Sequence, residues 1–277
     1  MHALLLSALV PLASGAGEIT PELMQRVKAS VVRIKGLDAA GDVLSIGSGF
    51  VVDASGVVAT NKHVIDVGGA TLVAEFKDGT KRKVLGEVGY SPKRDVALLQ
   101  IEGGGYPALA LGTTEGLQEG VPILLVGAPL NLGWTVTTGF ISAIREHGLD
   151  KDFQDGSGEV EKYDDANGKL LQLNVSSAQG ASGSPVVNAA GEVIGIFSSG
   201  MGTMGNLEFA VPVEALQEAL RLRGTQPDPL KVAPPVDGRA RIRWRNLGIS
   251  AAFFVATGIL FALRRRRAPR PAPARRR

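Results

Sequence analysis

The feature that most limits what this chain can fold into is a long succession of short apolar pieces broken by turn residues. Residues 31–35, 49–53, 57–60, 71–76, 81–88, 96–101, 123–127 and 135–144 are β-branched or alternate apolar with polar side chains. A second set follows at 170–175, 184–187, 192–197 and 208–211. Between them stand Asp53-Ala54-Ser55-Gly56, Asp78-Gly79, residues 102–105 and Glu119-Gly120, side chains that favour the tight conformations of a chain reversal. Pieces this short, with almost no helical periodicity among them, predict an all-β sandwich or pair of barrels and argue against α/β. Flanking these strands, helices are expected at 18–30, with Thr20 as the cap and Pro21 in the first turn, and at 212–222.

Composition is compatible with that reading. A chain of 277 residues, 44% hydrophobic, can build one sizeable core or two small closed sheets sharing an interface. The 36 glycines and 15 prolines suit many turns, and 5% aromatic content leaves little for stacking nucleic-acid bases. The net charge of +3 is misleading, because eight arginines crowd the last fourteen residues. The rest carries 22 basic side chains against 27 acidic ones, so no nucleic-acid partner is expected. Cysteine is absent and no disulfide framework is available.

The two ends read as targeting elements. Residues 3–13 are apolar apart from Ser7 and Pro11 and precede the small residues Ser14, Gly15 and Ala16, so 1–16 is expected to be a signal peptide; an ordinary buried N-terminal segment is the alternative. Residues 247–263 are seventeen uncharged, mostly apolar positions ahead of Arg264, Arg265, Arg266 and Arg267. At 1.5 Å per residue such a helix spans roughly 25 Å, which snorkelling arginines would extend towards a hydrocarbon core of about 30 Å. The expectation is a transmembrane helix at 247–263 with a basic cytoplasmic tail at 264–277, a lipid bilayer as partner, and an extracytoplasmic body anchored in the cytoplasmic membrane. A buried amphipathic helix is the alternative. Residues 224–246, which include Pro227, Pro229, Pro234 and Pro235, read as a linker, and the acidic, glycine-rich stretch 148–168 as a mobile loop.

Three segments carry chemistry. Thr60-Asn61-Lys62-His63-Val64 follows one strand, Asp95 stands at the mouth of the strand 96–101, and Ser182 lies in Gly180-Ala181-Ser182-Gly183-Ser184-Pro185. Cleaving an amide with a serine requires a hydroxyl, a base of near-neutral pKa to take its proton, and a carboxylate to hold that base in one tautomer. Of the three histidines, His2 falls in the leader and His147 borders the acidic loop, leaving His63 at the end of a core strand. A histidine in that place is more often structural, and a Gly-x-Ser-Gly string alone is weak. Gly180 can adopt a conformation closed to larger residues, which would turn the N–H groups of Gly180 and Ser182 towards a developing oxyanion.

Taken in order, Gly47-Ser48-Gly49-Phe50, residues 60–64, residues 95–99 and residues 180–185 resemble the trypsin-like serine peptidases, particularly the bacterial Deg/HtrA branch. The resemblance runs from about residue 27 to 222. It implies two six-stranded antiparallel β-barrels over a peptidase domain at 17–223, with His63 and Asp95 from the first, Ser182 from the second, and no cofactor or metal. It also implies that Gly180 and Ser182 form the oxyanion hole, that Ser176 lies at the base of the primary specificity pocket, and that Ser198, Ser199 and Gly200 form the edge on which substrate backbone pairs. With Ser176 uncharged, the expected substrates are polypeptides cut after small or apolar residues, exported or misfolded proteins among them. The acids Glu192 and Glu208 would alter that preference if either carboxylate faced the cleft.

The sequence departs from the pattern at two points. Ala181 stands where the family often has asparagine, and Ser184 where it usually has a second glycine, a replacement expected to narrow the turn. No PDZ-like segment is recognised after residue 222. The rival reading is a catalytically silent trypsin-like domain that binds peptide by strand addition; a β scaffold without a peptide site would make all three ordered matches accidental. Zinc, Rossmann and P-loop chemistry lack their motifs.

Overall fold

The computed structural model describes residues 18–66, 71–91, 94–129, 133–147, 168–200 and 207–230. The chain enters through α1, Pro21–Ser30, which begins where the sequence places it: Thr20 is extended and its hydroxyl accepts the Leu23 N–H at 3.3 Å. Pro21 fits a first turn that needs no N–H partner. One face of this helix buries Leu23 and Val27.

Six strands follow: β1 Val31–Leu37, β2 Val43–Asp53, β3 Val57–Thr60, β4 Thr71–Phe76, β5 Lys81–Ser91 and β6 Val96–Ile101, with the single-turn helix α2, Lys62–Ile65, after β3. They close into an antiparallel barrel in the order β1-β2-β3-β6-β5-β4. The second set comprises β7 Ala110–Leu111, β8 Pro122–Gly127, β9 Thr135–Arg145, β10 Leu170–Asn174, β11 Pro185–Val187, β12 Glu192–Gly200 and β13 Glu208–Pro212, and α3, Val213–Arg221, ends the body. Its order is β11-β8-β9-β10-β13-β12, and pairing of β11 with β12 closes six antiparallel strands into a second barrel. The two-residue β7 adds to β12 in parallel. The expected pair of six-stranded barrels is therefore present, with β7 a small addition.

Continuous apolar strands have a simple cause here: both faces are buried. Along β6, Ala97, Leu99 and Ile101 fill the first barrel, whereas Val96 and Leu98 join a cluster between the barrels. Along β8, Ile123 and Leu125 fill the second barrel while Leu124 and Val126 face that same cluster. With side chains alternating across a strand, each barrel strand at the junction serves two cores. Val213 and Leu216 of α3, together with Leu23 and Val27 of α1, complete the middle cluster. Burying this much apolar surface at about 25 cal/mol per Å² is the main force holding the barrels against each other.

The expected C-terminal transmembrane helix is corrected by this structure. Among the described residues no helix is long and apolar enough to cross a membrane. The longest, α1, has 10 residues and spans about 15 Å, half of a hydrocarbon core. Residues 247–263 lie outside the described residues, as do the expected signal peptide at 1–16, most of the loop at 148–168 and the tail at 264–277. The described residues thus form two barrels and hold no membrane-spanning helix; a lipid bilayer partner, membrane anchoring and a cytoplasmic C-terminus are withdrawn with the expected helix.

Candidate active site

His63 sits in α2, the turn that β3 enters after Thr60. Asp95 directly precedes β6, the neighbour of β3, so the antiparallel ladder that pairs Thr60 with Ala97 brings the two side chains together. Asp95 Oδ2 lies 2.6 Å from His63 Nδ1, and Oδ1 accepts the His63 backbone N–H at 3.0 Å. Asn61 Nδ2 donates to the Asp95 carbonyl at 2.8 Å, fixing the peptide behind the carboxylate. Burial pushes the Asp95 carboxyl up, but the hydrogen bonds from the His63 ring and backbone and from Ser198 outweigh it and hold the pKa below the usual aspartate range. An ionised Asp95 at Nδ1 keeps the ring proton there and leaves Nε2 as the basic nitrogen.

The second barrel supplies Ser198 and Ser182. Ser198, on β12, reaches across to donate its hydroxyl to Asp95 Oδ2 at 2.8 Å. Its carbonyl accepts the Ser182 hydroxyl at 2.7 Å. Ser182 is thus hydrogen-bonded to Ser198 rather than to His63, and a rotation of its side chain is needed to hand a proton to the imidazole.

The turn that carries Ser182 is tightly braced. Gly180 and Gly183 have φ of 94° and 88°, in the left-handed region that glycine enters without cost. Ala181 N–H donates to Ala178 O and Ser184 N–H to Ala181 O, each at 3.0 Å, while Gly183 N–H reaches Phe197 O on β12 at 2.8 Å. Among the described residues, the N–H groups of Gly180 and Ser182 are taken up by no hydrogen bond. Two free donors two residues apart are what an oxyanion needs.

Ser48 on β2 was not singled out by the sequence beyond its motif, yet it ties this turn to the first barrel. Its hydroxyl donates to Gly180 O at 2.7 Å and accepts the Ala128 N–H at 3.0 Å; its own N–H donates to Ser182 O at 2.8 Å. Thr60 Oγ1 in turn donates to Ser48 O at 2.7 Å. Ala128 O accepts from Arg33 Nε at 3.3 Å, and that guanidinium lies over the Trp134 ring, 5.0 Å from its centroid. The turn is therefore built on contacts between barrels, over 130 residues apart in sequence for Ser48 and Gly180.

Ser184, expected to narrow the turn, is accommodated from another strand. A methyl carbon on Gly127 would stand 2.6 Å from Ser184 Oγ, so the glycine that makes room is on β8. The hydroxyl is fully buried and has no hydrogen-bond partner.

The expected pocket residues divide. Ser176 is exposed, and it is Ser177 whose hydroxyl turns in, donating to Glu208 Oε1 at 2.7 Å. Glu208 opens β13 opposite Gly200 on β12 and Leu173 on β10 and is 8% exposed. Its Oε2 is buried without a partner, and burial, opposed by the Ser177 hydrogen bonds, pushes the carboxyl above the usual glutamate range. Glu192, the other acid in question, is turned to Asn188 Nδ2 at 3.1 Å, at the opposite end of β12 from Ser198.

Two closed antiparallel barrels with a His–Asp pair on one and a glycine-flanked serine on the other define the double-barrel serine peptidase class. Residues 47–196, more than half of the chain, match the family model of the trypsin-like peptidase domain. A protein of Ectopseudomonas mendocina described as a probable periplasmic serine endoprotease DegP-like is 34% identical over 184 residues, 65% of this chain and 35% of that one. Among solved structures, the HtrA-type protease AlgW with tripeptide is 30% identical at a TM-score of 0.58, over 70% of this chain and 60% of that one. The serine endoprotease from Yersinia pestis is 27% identical at a TM-score of 0.56, over 72% and 64%. This chain belongs to the trypsin-like serine peptidase family, in its Deg/HtrA branch. It spans about a third of the length of that DegP-like relative.

Proposed function

We propose that residues 17–223 form a serine endopeptidase domain that hydrolyses polypeptides through an acyl-enzyme. The observation that carries this reading is the 2.6 Å bond between His63 Nδ1 and Oδ2 of a half-buried Asp95, beside a braced Ser182 turn with two free N–H donors. In the reaction, Ser182 Oγ leaves Ser198 O, passes its proton to His63 Nε2 and attacks the scissile carbonyl carbon. Asp95 stabilises the imidazolium, and the N–H groups of Gly180 and Ser182 hold the oxyanion. Collapse of the tetrahedral intermediate breaks the C–N bond, and the proton on Nε2 goes to the leaving amine. Water, deprotonated by the same nitrogen, then releases the acid and restores the Ser182 hydroxyl.

The Ser198 carbonyl accepts the Ser182 hydroxyl, and backbone N–H groups of a substrate would compete for that same carbonyl. Substrate binding along Ser198, Ser199 and Gly200 therefore favours the rotated, reactive serine. Ser176, expected at the base of the primary pocket, carries no charge; this supports cleavage after small or apolar residues, and the substrates proposed are exported or misfolded proteins. Treating the full chain with a fluorophosphonate and mapping the adduct tests the assignment. Labelling confined to Ser182 and lost in S182A is expected; labelling elsewhere, or undiminished in S182A, overturns it. Peptide binding without labelling would identify the silent, strand-adding alternative.

A further inference from the structure

Glu208 is unused by the reaction just described, and its surroundings are unusual for a carboxyl group. It is buried at the start of β13, in register with Gly200 and therefore one strand from the edge that includes Ser198. Its Oε1 is occupied by the hydroxyl of Ser177, in the loop that leads five residues on to Ser182. Its Oε2 has no partner. Among the described residues, the elements packed against it bring no compensating charge. β12 presents Gly200 and β10 presents Leu173, while the loop contributes Ser177, and no charged side chain among the described residues acts on the carboxyl. A buried carboxyl oxygen with nothing to bind is costly unless a ligand completes it.

We propose that Glu208 is a second specificity determinant of the primary pocket. When ionised it accepts the ammonium of a lysine preceding the scissile bond, and when protonated it leaves the pocket to small or apolar residues. This rests on the serine endopeptidase reading above and names a substrate class for that same pocket. Lysine is favoured over arginine for a geometric reason. A guanidinium gains most from a carboxylate with both oxygens open to its planar fork, whereas Ser177 already holds Oε1. An ammonium is a point charge on a four-carbon stem and needs only the one free oxygen. Conversely, a lysine entering beside a neutral carboxylic acid loses hydration without gaining an ion pair.

The test is a ratio, so that effects common to all substrates cancel. Peptides differing only in Lys, Arg, Val or Ala before the cut are given to the full chain between about pH 5 and pH 8. The expected result is a Lys-to-Val ratio of kcat/KM that rises about tenfold or more with pH, with Arg below Lys throughout. In E208Q the ratio stays at its acid-side value across the range. A flat ratio in the wild-type protein overturns the proposal even if E208Q fails to fold, and so does an undiminished rise in E208Q. Binding of product peptides ending in Lys or Val to S182A, followed by fluorescence anisotropy, decides the pocket independently of turnover. A Lys preference that grows with pH upholds the proposal, and equal affinities at all pH values overturn it. Absence of any cleavage alongside such a preference would refute the catalytic reading alone.

Discussion

Replacing Ser48 by alanine removes one oxygen atom from the junction of the two barrels, and the structure says what that atom holds. Ser48 is fully buried; its hydroxyl donates to Gly180 O and accepts the Ala128 N–H. Neither partner gains a substitute in S48A, because the methyl group can do neither. An unpaired buried polar group costs about 1–3 kcal/mol. Ala128 is completely buried and bears the full cost, whereas Gly180 is half-buried and bears part of it, giving about 3 kcal/mol in all. For a body of this size that lowers the melting temperature by about 6–12 °C. The backbone bond from Ser48 N–H to Ser182 O survives, so the turn stays attached but loses the clamp between its two free N–H donors. Activity should therefore fall through kcat, by up to about 10²–10³ if the oxyanion donors are lost as a unit, with KM little changed. Thermal unfolding and steady-state kinetics on one peptide measure both. T60V is the control, since it removes a bond to the Ser48 carbonyl and leaves the hydroxyl bonds in place. S48A with a melting temperature within about 2 °C of wild type and unchanged kcat would refute the clamp.

Other outcomes follow from the same contacts. S184A deletes a buried hydroxyl with no partner and should raise stability by about 1 kcal/mol, read by denaturant unfolding; a loss of stability would show that the hydroxyl is satisfied. G183A places a methyl carbon 2.0 Å from Ser48 O at a φ of 88°, and is expected to cost more than about 3 kcal/mol and abolish labelling of Ser182; a folded, reactive variant would contradict it. Asp95 has a depressed pKa in the folded protein. Its stabilisation is present above the unfolded carboxylate value of about 3.9 and is lost as pH falls through the folded value, so D95N should flatten the acid limb of a stability–pH profile. Glu208 has the opposite sign. Its raised pKa means a contribution complete below about 4.3 that is lost as pH rises through the folded value, so the stability of E208Q relative to wild type should grow with pH over that window.

The strands were legible because burial on two faces makes an apolar run whatever the partner. The stretch 96–101 needs no knowledge of its neighbours to be read as a strand, although which of its side chains face the first barrel and which the interface is decided by closure of the sheet. One-sided alternation is legible as well, as in β5, but where the apolar pattern is interrupted the boundary is lost. β2 begins at Val43, earlier than the pattern at 49–53 suggests, because Val43 and Leu44 are about half exposed and the stretch is interrupted by serine and glycine. β7 is two residues long and exists only because β12 offers it an edge. Membrane insertion illustrates the converse error: apolar length and flanking arginines describe what a segment could do in a bilayer, and no described helix has the length to do it.

At the site, the groups that sequence order reveals are those whose chemistry is fixed by residue type: a histidine, an aspartate and a glycine-flanked serine. Their supports are chosen by position in space. Ser198 serves Asp95 from 103 residues away, and Ser48 serves Gly180 from 132; the resemblance names both serines, but these hydrogen bonds are not readable from the sequence. Ser184 makes the point most sharply. Read within its motif it is a departure that crowds the turn, yet the space it needs is supplied by Gly127 on a neighbouring strand of the other motif-free half of the sheet. The close approach of Ser184 Oγ to Gly127 leaves no room for a side chain at position 127. The turn that carries Ser182 keeps its left-handed Gly180 and Gly183, while the Ser184 side chain stands against Gly127 of β8.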